Sequence, residues 1–254
     1  MTADARVRDR RLQSAAGLGL AALIVGAWLA TQYYALFVHA WTGAGLLAAP
    51  VLVAFICWLD VGLFIVGHDA IHGSLAPASR PLNRAVGRLG FALYAGFSLG
   101  RFEAGHHAHH RAPGTDGDPD FHPHDGRFWP WYRHFLFRYF GWHEVLGLAV
   151  SFALIVGVLR APMLNALVFW ALPALLSSVQ LFAFGTWLPH RVQHERFIDE
   201  HRARSSGYGH LASLLSCFHF GYHHEHHLRP DAPWWRLPAV RRTFGARGKT
   251  GGVA

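Results

Sequence analysis

Charged residues are scarce in this chain. Of its 254 residues 15% are Asp, Glu, Lys or Arg, where an ordinary soluble domain carries about 25%, and 52% are hydrophobic. With a mean hydropathy of +0.18, that balance excludes a disordered chain and argues against a conventional soluble enzyme. Cysteine is scarcer still: Cys57 and Cys217 alone build neither a disulfide framework nor an all-thiolate zinc site. Acidic residues number 15 against 23 Lys and Arg. No nucleic-acid-binding motif competes for the resulting net charge of +8, which is assigned to membrane topology and anionic lipid. The chain is rich instead in histidine: its 20 imidazoles are too many for incidental packing.

The apolar runs predict an all-α integral membrane protein. No formal charge occurs from Leu12 to Leu59, enough for two spans near 16–38 and 46–67 joined by a turn at Thr42-Gly43-Ala44-Gly45. Leu89 to Gly100 is uncharged but only twelve residues long. As a helix it reaches about 18 Å, short of a ~30 Å hydrocarbon core, and it reads as a re-entrant or interfacial helix. Further spans are expected near 141–159 and 162–188. With four crossings, 22 of the 23 basic residues fall on one side and only Arg160 on the other, as the positive-inside rule expects of a cytoplasmic face. The Arg6-to-Arg11 cluster before the first run suits a retained signal anchor better than a cleaved peptide. The aromatic stretch 127–142 reads as an interfacial belt. A single domain over 1–238 and a basic flexible tail over 239–254 complete the expected organisation.

Apart from His39, the histidines fall at or beyond the inner ends of the spans, where three groups stand out: His68-Asp-Ala-Ile-His72, His106-His-Ala-His109-His110 and His223-His-Glu-His226-His227. Residues at i and i+4, or at i, i+3 and i+4, share one helix face. His68 with His72, His106 with His109 and His110, and His223 with His226 and His227 can therefore each aim at one point. A lone HxxxH arises by accident, and a polybasic interfacial stretch can mimic one HxxHH. Three such groups on one membrane face form a cap built for metal. Eight imidazoles exceed the four ligands of a zinc ion and suit two ions with open positions. All-nitrogen ligation disfavours magnesium and calcium, and iron is the candidate that brings dioxygen chemistry. His190, closing the fourth span, is a possible ninth ligand, with His194 and His219 behind it. His107 and His224 sit at the wrong helical angle. His122, His124, His134, His143, His201 and His210 read as solvated or interfacial.

Each acid near these groups is a candidate to orient a ligand imidazole through its outer N–H. Asp60 lies inside the second span, where an ionisable group is expensive; it could serve a ligand or simply bond between helices. Asp118, Asp120 and Glu225 are further candidates, with Asp69, Glu103 and Asp199, although Asp116, Asp118 and Asp120 could instead make turns in a Pro/Gly-rich loop.

HxxxH, HxxHH and HxxHH in this order, joined to membrane spans, resemble the integral-membrane fatty-acid desaturase and hydroxylase superfamily. Tyr222-His-His-Glu-His-His-Leu-Arg-Pro230 is similar to its third histidine box. Gly67-His-Asp-Ala-Ile-His-Gly73, Pro113-Gly-Thr-Asp-Gly-Asp-Pro-Asp-Phe121, Gly185-Thr-Trp-Leu-Pro-His-Arg191, Cys217-Phe-His-Phe-Gly221 and Pro233-Trp-Trp-Arg-Leu-Pro238 resemble one branch, the bacterial-type β-carotene ketolases. The resemblance runs from about Asp60 to Pro238. It implies a non-haem di-iron oxygenase in a bacterial inner membrane, its active site and both termini cytoplasmic. It implies that His68, His72, His106, His109, His110, His223, His226 and His227 hold two iron ions. O2 is then the co-substrate, a ferredoxin-like protein the electron donor, and a carotenoid drawn from the bilayer the substrate, oxidised at C4 of its β-ionone ring by two hydroxylations and loss of water. No side chain beyond the metal centre need act as a catalyst.

Phe64, Phe97, Phe102, Phe121, Phe184 and Trp187 are candidate contacts to that ring. A fatty-acyl desaturase or a carotenoid hydroxylase shares the histidine core, and only the flanking motifs favour ketolation. A membrane metal transporter or sensor should carry ionisable ligands within its spans, where Asp60 stands alone.

Overall fold

A computed structural model describes residues 2–192 and 197–250, the side chains of the last helix through residue 244. Every regular element among the described residues is helical. Three helices are long and apolar enough to cross a membrane: Ala3–Val38, Gly43–Ile71 and Met163–His190. The first comprises α1 (Ala3–Tyr33) and a π turn (Tyr34–Val38), and the second is α2 (Gly43–Ile71). The third is assembled from α7 (Met163–Ala166), α8 (Leu172–Phe182) and α9 (Leu188–His190), with π turns between them. The expected span near 141–159 is a special case. It is α6 (Trp142–Ala153) with a π turn to Val158, and it counts as a crossing only together with α5 (Phe128–Tyr139), from which it is bent by 84°. Gly141 begins α6 in extended backbone, its N–H held by Glu144 Oε2 at 2.9 Å. That start redirects the chain.

From Ile56 to Ile71 α2 is buried on every side, half-buried Trp58 excepted; a helix apolar all round belongs at the centre of a bundle. α1 runs antiparallel to it. At one end of α1, Gln13 Nε2 donates to Ser74 O at 2.7 Å and Ser14 Oγ accepts from Ala78 N–H at 2.9 Å. At the other end Asn165 Nδ2 donates to the carbonyls of Ala35, Leu36 and His39 at 3.1, 3.3 and 3.2 Å, and its Oδ1 accepts from Trp41 Nε1 at 2.7 Å. A helix end leaves carbonyls unpaired, and in lipid no water can serve them; one amide from the third span does so. The turn between α1 and α2 is His39–Thr42, slightly ahead of the expected glycines. Gly45 lies so near Ala40 O that a Cβ would stand 1.9 Å from it.

The predicted short helix over 89–100 does not exist as a unit. α3 (Arg80–Ala95) starts nine residues earlier, with proline in its first turn, and ends at Gly96, whose φ of +67° closes the helix in the left-handed region. α4 (Leu99–Arg111) follows and carries the second histidine group. The uncharged run was therefore cut by its own glycine. α10 (His210–Cys217) and α11 (His223–Leu228) then lead to α12 (Leu237–Thr250). The segment expected as a flexible tail from 239 is helical in its described part. Its Arg241 stacks 4.5 Å over the Tyr222 ring and reaches Glu225 at 3.5 Å, contacts that hold a basic segment against the cap.

α1 meets the loop after α2 through Gly17, where a Cβ would come 2.0 Å from Leu75 O and 2.8 Å from Trp235, whereas Gly19 has open space. Overpacking costs about 1–3 kcal/mol. Gly17→Val is expected to fall in or above that range, read as a lower midpoint of thermal unfolding in detergent, while Gly19→Val melts like the parent chain.

Candidate metal centre

The histidines come from four segments. His68 is in the last turn of α2 and His72 just past it; α4 carries His106, His109 and His110; α9 ends in His190; and α11 carries His223, His226 and His227. The i, i+3, i+4 spacing works as geometry requires on both α4 and α11. Two sets of four result, each with all ligand atoms within 4.8 Å of one another: His68, His72, His106 and His226, and His109, His190, His223 and His227. Neither set comes from one sequence group. α4 and α11 each contribute to both, which places the sets side by side. His110 stands at their boundary, its Nε2 3.1 Å from that of His106 and 3.0 Å from that of His226, its ring stacked on His227 at 4.3 Å.

Outer contacts aim these rings. His109 Nδ1–H donates to Asp118, whose two oxygens lie 3.0 and 2.9 Å away, and Asp118 is itself fixed by the N–H groups of Gly114 and Asp120 at 2.7 and 2.8 Å. His68 Nδ1 faces Asp69 at 3.3 Å, and Trp234 N–H donates to the other oxygen of Asp69 at 3.0 Å. His190 Nδ1–H donates to Arg202 O at 2.8 Å; Arg202 holds that carbonyl in place from a left-handed φ of 42°, an uncommon conformation for a side-chain-bearing residue. In each case the outer nitrogen carries the proton and Nε2 presents a lone pair inward. The Nε2 atoms of His68 and His190 are buried with no hydrogen-bond partner. Unsatisfied acceptors are expensive in such a place, and these donors fit a metal site of neutral imidazoles.

Electrostatics agree. Burial holds His72, His106, His223, His226 and His227 well below the usual imidazole range, and His110 is pushed down to about 2. His109 differs: burial works against its charged form, but the Asp118 carboxylate outweighs it and raises the ring. Burial would raise Asp118 too, yet His109 and two backbone N–H groups bring it below the usual carboxylate range, while buried Asp120 rises to about 6.

The other expectations divide. Asp120 lies 3.8 Å from His109 Nδ1 and accepts from the Tyr139 hydroxyl. Asp60 does not orient a ligand: its Oδ1 accepts from Trp28 Nε1 at 2.7 Å, an interhelical bond to α1. Glu225 points away from the cluster, accepting from Ser205 Oγ and facing Arg241, because its helical angle differs from that of His223, His226 and His227. Glu103 pairs with Arg84 and Asp199 with His224. His219 stacks on Tyr222 and meets His210 at a tilt, outside both sets, and His194 lies outside the described residues.

An apolar cavity of about 680 Å³ of unfilled space, its mouth included, ends on His68, His106, His109 and His223. Three of the six expected ring contacts, Phe64, Phe97 and Phe102, line it. Phe121 packs instead on Trp131, Phe184 lies near Tyr208, and Trp187 packs on Phe128. Missed in the sequence were Tyr132, Phe135, Leu136 and Tyr139, one face of α5 at i, i+3, i+4 and i+7. The spacing is present in the sequence, but the aromatic residues on every side of 127–142 hide it within what reads as an interfacial belt.

Comparison with known proteins places this arrangement. The fatty acid desaturase family model matches residues 42–153 and 138–253. A β-carotene ketolase of Paracoccus sp. (strain PC1) is 50% identical over 232 residues, covering 90% of this chain and 93% of that one. The β-carotene ketolase of Paracoccus sp. (strain N81106 / MBIC 01143) is 49% identical over 89% of this chain and 94% of its own, and β-carotene 4-ketolase 3 of Haematococcus lacustris is 35% identical over 91% and 80%. No solved structure matches the chain.

Losing the partner of a ligating imidazole typically lowers metal affinity 10- to 100-fold. Asp118→Asn is expected to weaken metal binding by roughly that factor, measured by competition with a chelator. Asp60→Asn, one oxygen of which can still accept from Trp28, keeps the parent affinity.

Proposed function

Because the chain belongs to the fatty acid desaturase family and within it to the β-carotene ketolases, we propose that it is an O2-dependent oxidoreductase that places a keto group at C4 of the β-ionone ring, using two iron ions held by its histidines. The observation that carries this reading is the apolar cavity whose inner end is formed by histidines of both sets. A carotenoid is long and almost wholly apolar, and aromatic walls offer its ring a dry seat. When bound, a redox-active metal pair supplies the O2 chemistry that acid–base side chains lack.

The chain's own groups do the positioning. His68, His72, His106 and His226 would hold one ion, and His109, His190, His223 and His227 the other, with His110 at the boundary of the two sets. Asp69, Asp118 and Arg202 O keep outer protons on Nδ1, so that the inner nitrogens stay basic. Phe64 and Phe102, in edge-on contact at 5.2 Å, wall the cavity beside His68 and His106 and help to exclude water. Two hydroxylations at C4 followed by loss of water give the ketone. The histidine cap, the N-terminus and the C-terminus face the cytoplasm of a bacterial inner membrane, consistent with the basic residues gathered at that end. Electrons arrive there from a ferredoxin-like protein while substrate enters from lipid. A transporter is disfavoured because the one acid well inside a span, Asp60, bonds to Trp28.

Expression in cells that make β-carotene tests the reaction. Echinenone or canthaxanthin is expected; zeaxanthin would indicate a 3-hydroxylase, and new lipid double bonds a desaturase. His109→Ala should abolish the ketone and leave the protein in the membrane. His190→Ala should lose at least half of the bound iron, measured by metal analysis of purified protein. A fully active His109→Ala variant would overturn the proposed site.

A further inference from the structure

Of the eight rings in the two four-histidine sets, His72 alone is not fully buried. Its Nε2 lies 2.8 Å from that of His106, inside the cluster. Its other side lines a surface pocket with Arg10, Arg80, Asn83, Arg84 and Glu103. Arg84 and Glu103 form a two-point ion pair at 3.0 and 3.1 Å, and Arg10 donates to Pro77 O, which leaves the pocket net positive: three guanidinium groups against one carboxylate. Half-buried His107, its ring 6.2 Å from that of His72, adjoins it. The substrate cavity opens elsewhere, against α5, and is apolar.

The reaction has an electron requirement that bears on this face. Converting CH2 to C=O with O2 runs as CH2 + 2 O2 + 4 e⁻ + 4 H⁺ → C=O + 3 H2O, two electrons for each O2. The ring supplies the remaining electrons through its two C–H bonds. The four external ones must come from a carrier, and electron transfer slows steeply with distance, so the carrier has to approach a ring that touches both centre and solvent. His72 does in the two sets; His110 between them is half-buried as well, but only His72 of the cluster lines the arginine pocket.

We propose that the Arg10–Arg80–Arg84 face around His72 is the docking surface for an acidic one-electron carrier protein, with His72 as the entry point for electrons. This deepens the ketolase reading and rests on it. Complementary charge of this kind governs encounter rate and salt dependence more than intrinsic affinity. Arg80, exposed at the start of α3, lies outside the histidine cluster and the substrate cavity, so its charge can be reversed without touching either.

The test uses the full chain in lipid nanodiscs and an acidic plant-type [2Fe–2S] ferredoxin as probe. The wild-type chain should bind it with a Kd that rises steeply with salt. Arg80→Glu and Arg84→Glu should each weaken binding roughly 10-fold and flatten the salt dependence, and Arg80→Lys should restore it. Iron content and dithionite-driven ketone formation should match wild type in Arg80→Glu. Failure of the wild type to bind, or unchanged binding by both charge reversals, overturns the docking surface. So does loss of dithionite-driven turnover in Arg80→Glu and Arg80→Gln alike, which would make Arg80 a support of the centre. Loss of bound phosphatidylglycerol from Arg80→Glu with ferredoxin binding intact would assign the pocket to a lipid headgroup. Absence of ketone in every arm defeats the ketolase reading, while the Kd values still decide the surface.

Discussion

Crowding neutral imidazoles until their inner nitrogens stand 2.8–3.2 Å apart is an uphill arrangement. Lone pair faces lone pair, hydration is lost, and in a low-dielectric interior none of this is screened. It persists because the ring orientations are over-determined from behind. Asp118 grips His109, Asp69 grips His68, and the Arg202 carbonyl grips His190. Each grip has its own support: Gly114 and Asp120 N–H for Asp118, Trp234 N–H for Asp69, and a left-handed backbone at Arg202. The rest of the molecule can be understood as what brings these supports to one place.

That place lies where the ends of two membrane-spanning helices meet two short helices of the cap. α2 supplies His68 because its buried half runs uninterrupted into the cluster, and Gly67 admits Phe91 of α3 where a Cβ would stand 2.5 Å from the ring. α3 in turn directs α4 across the cluster. The bend between α5 and α6 serves the other side, laying α5 along the cavity with Tyr132, Phe135, Leu136 and Tyr139 inward and Trp129 and Phe137 outward, 65% and 73% exposed. One helix thus walls the cavity and presents an apolar surface of the kind that lipid covers.

How much of this was legible in the sequence depends on the range of the interaction. Helical spacing is local, so the faces of His106, His109 and His110, and of His223, His226 and His227, were readable from i, i+3, i+4 alone, as was the wrong angle of His107 and His224. The spans near 16–38, 46–67 and 162–188 were readable because hydropathy is additive along a chain. The 89–100 helix was not: a count of uncharged residues ignores that Gly96 ends a helix. The partner of Asp60, which the sequence leaves open between a ligand and an interhelical bond, and that of Glu225 were not readable, because sequence proximity to a histidine says little about which neighbour a carboxylate meets across a helix interface. Asp60 found Trp28, thirty-two positions away.

Composition, periodicity and the histidine spacing by themselves determined an all-helical membrane protein with imidazoles gathered at one end of its spans. These follow from solvation and from the 3.6-residue turn, both properties of short stretches of chain. Only the tertiary structure decided that the two sets of four draw from both cap helices, that His190 completes the second set, that Asp118 and Asp69 stand behind the rings, and that within the two sets only His72 reaches the surface. Those are contacts between distant segments, set by how helices pack and where glycines let them approach, and no local pattern encodes them.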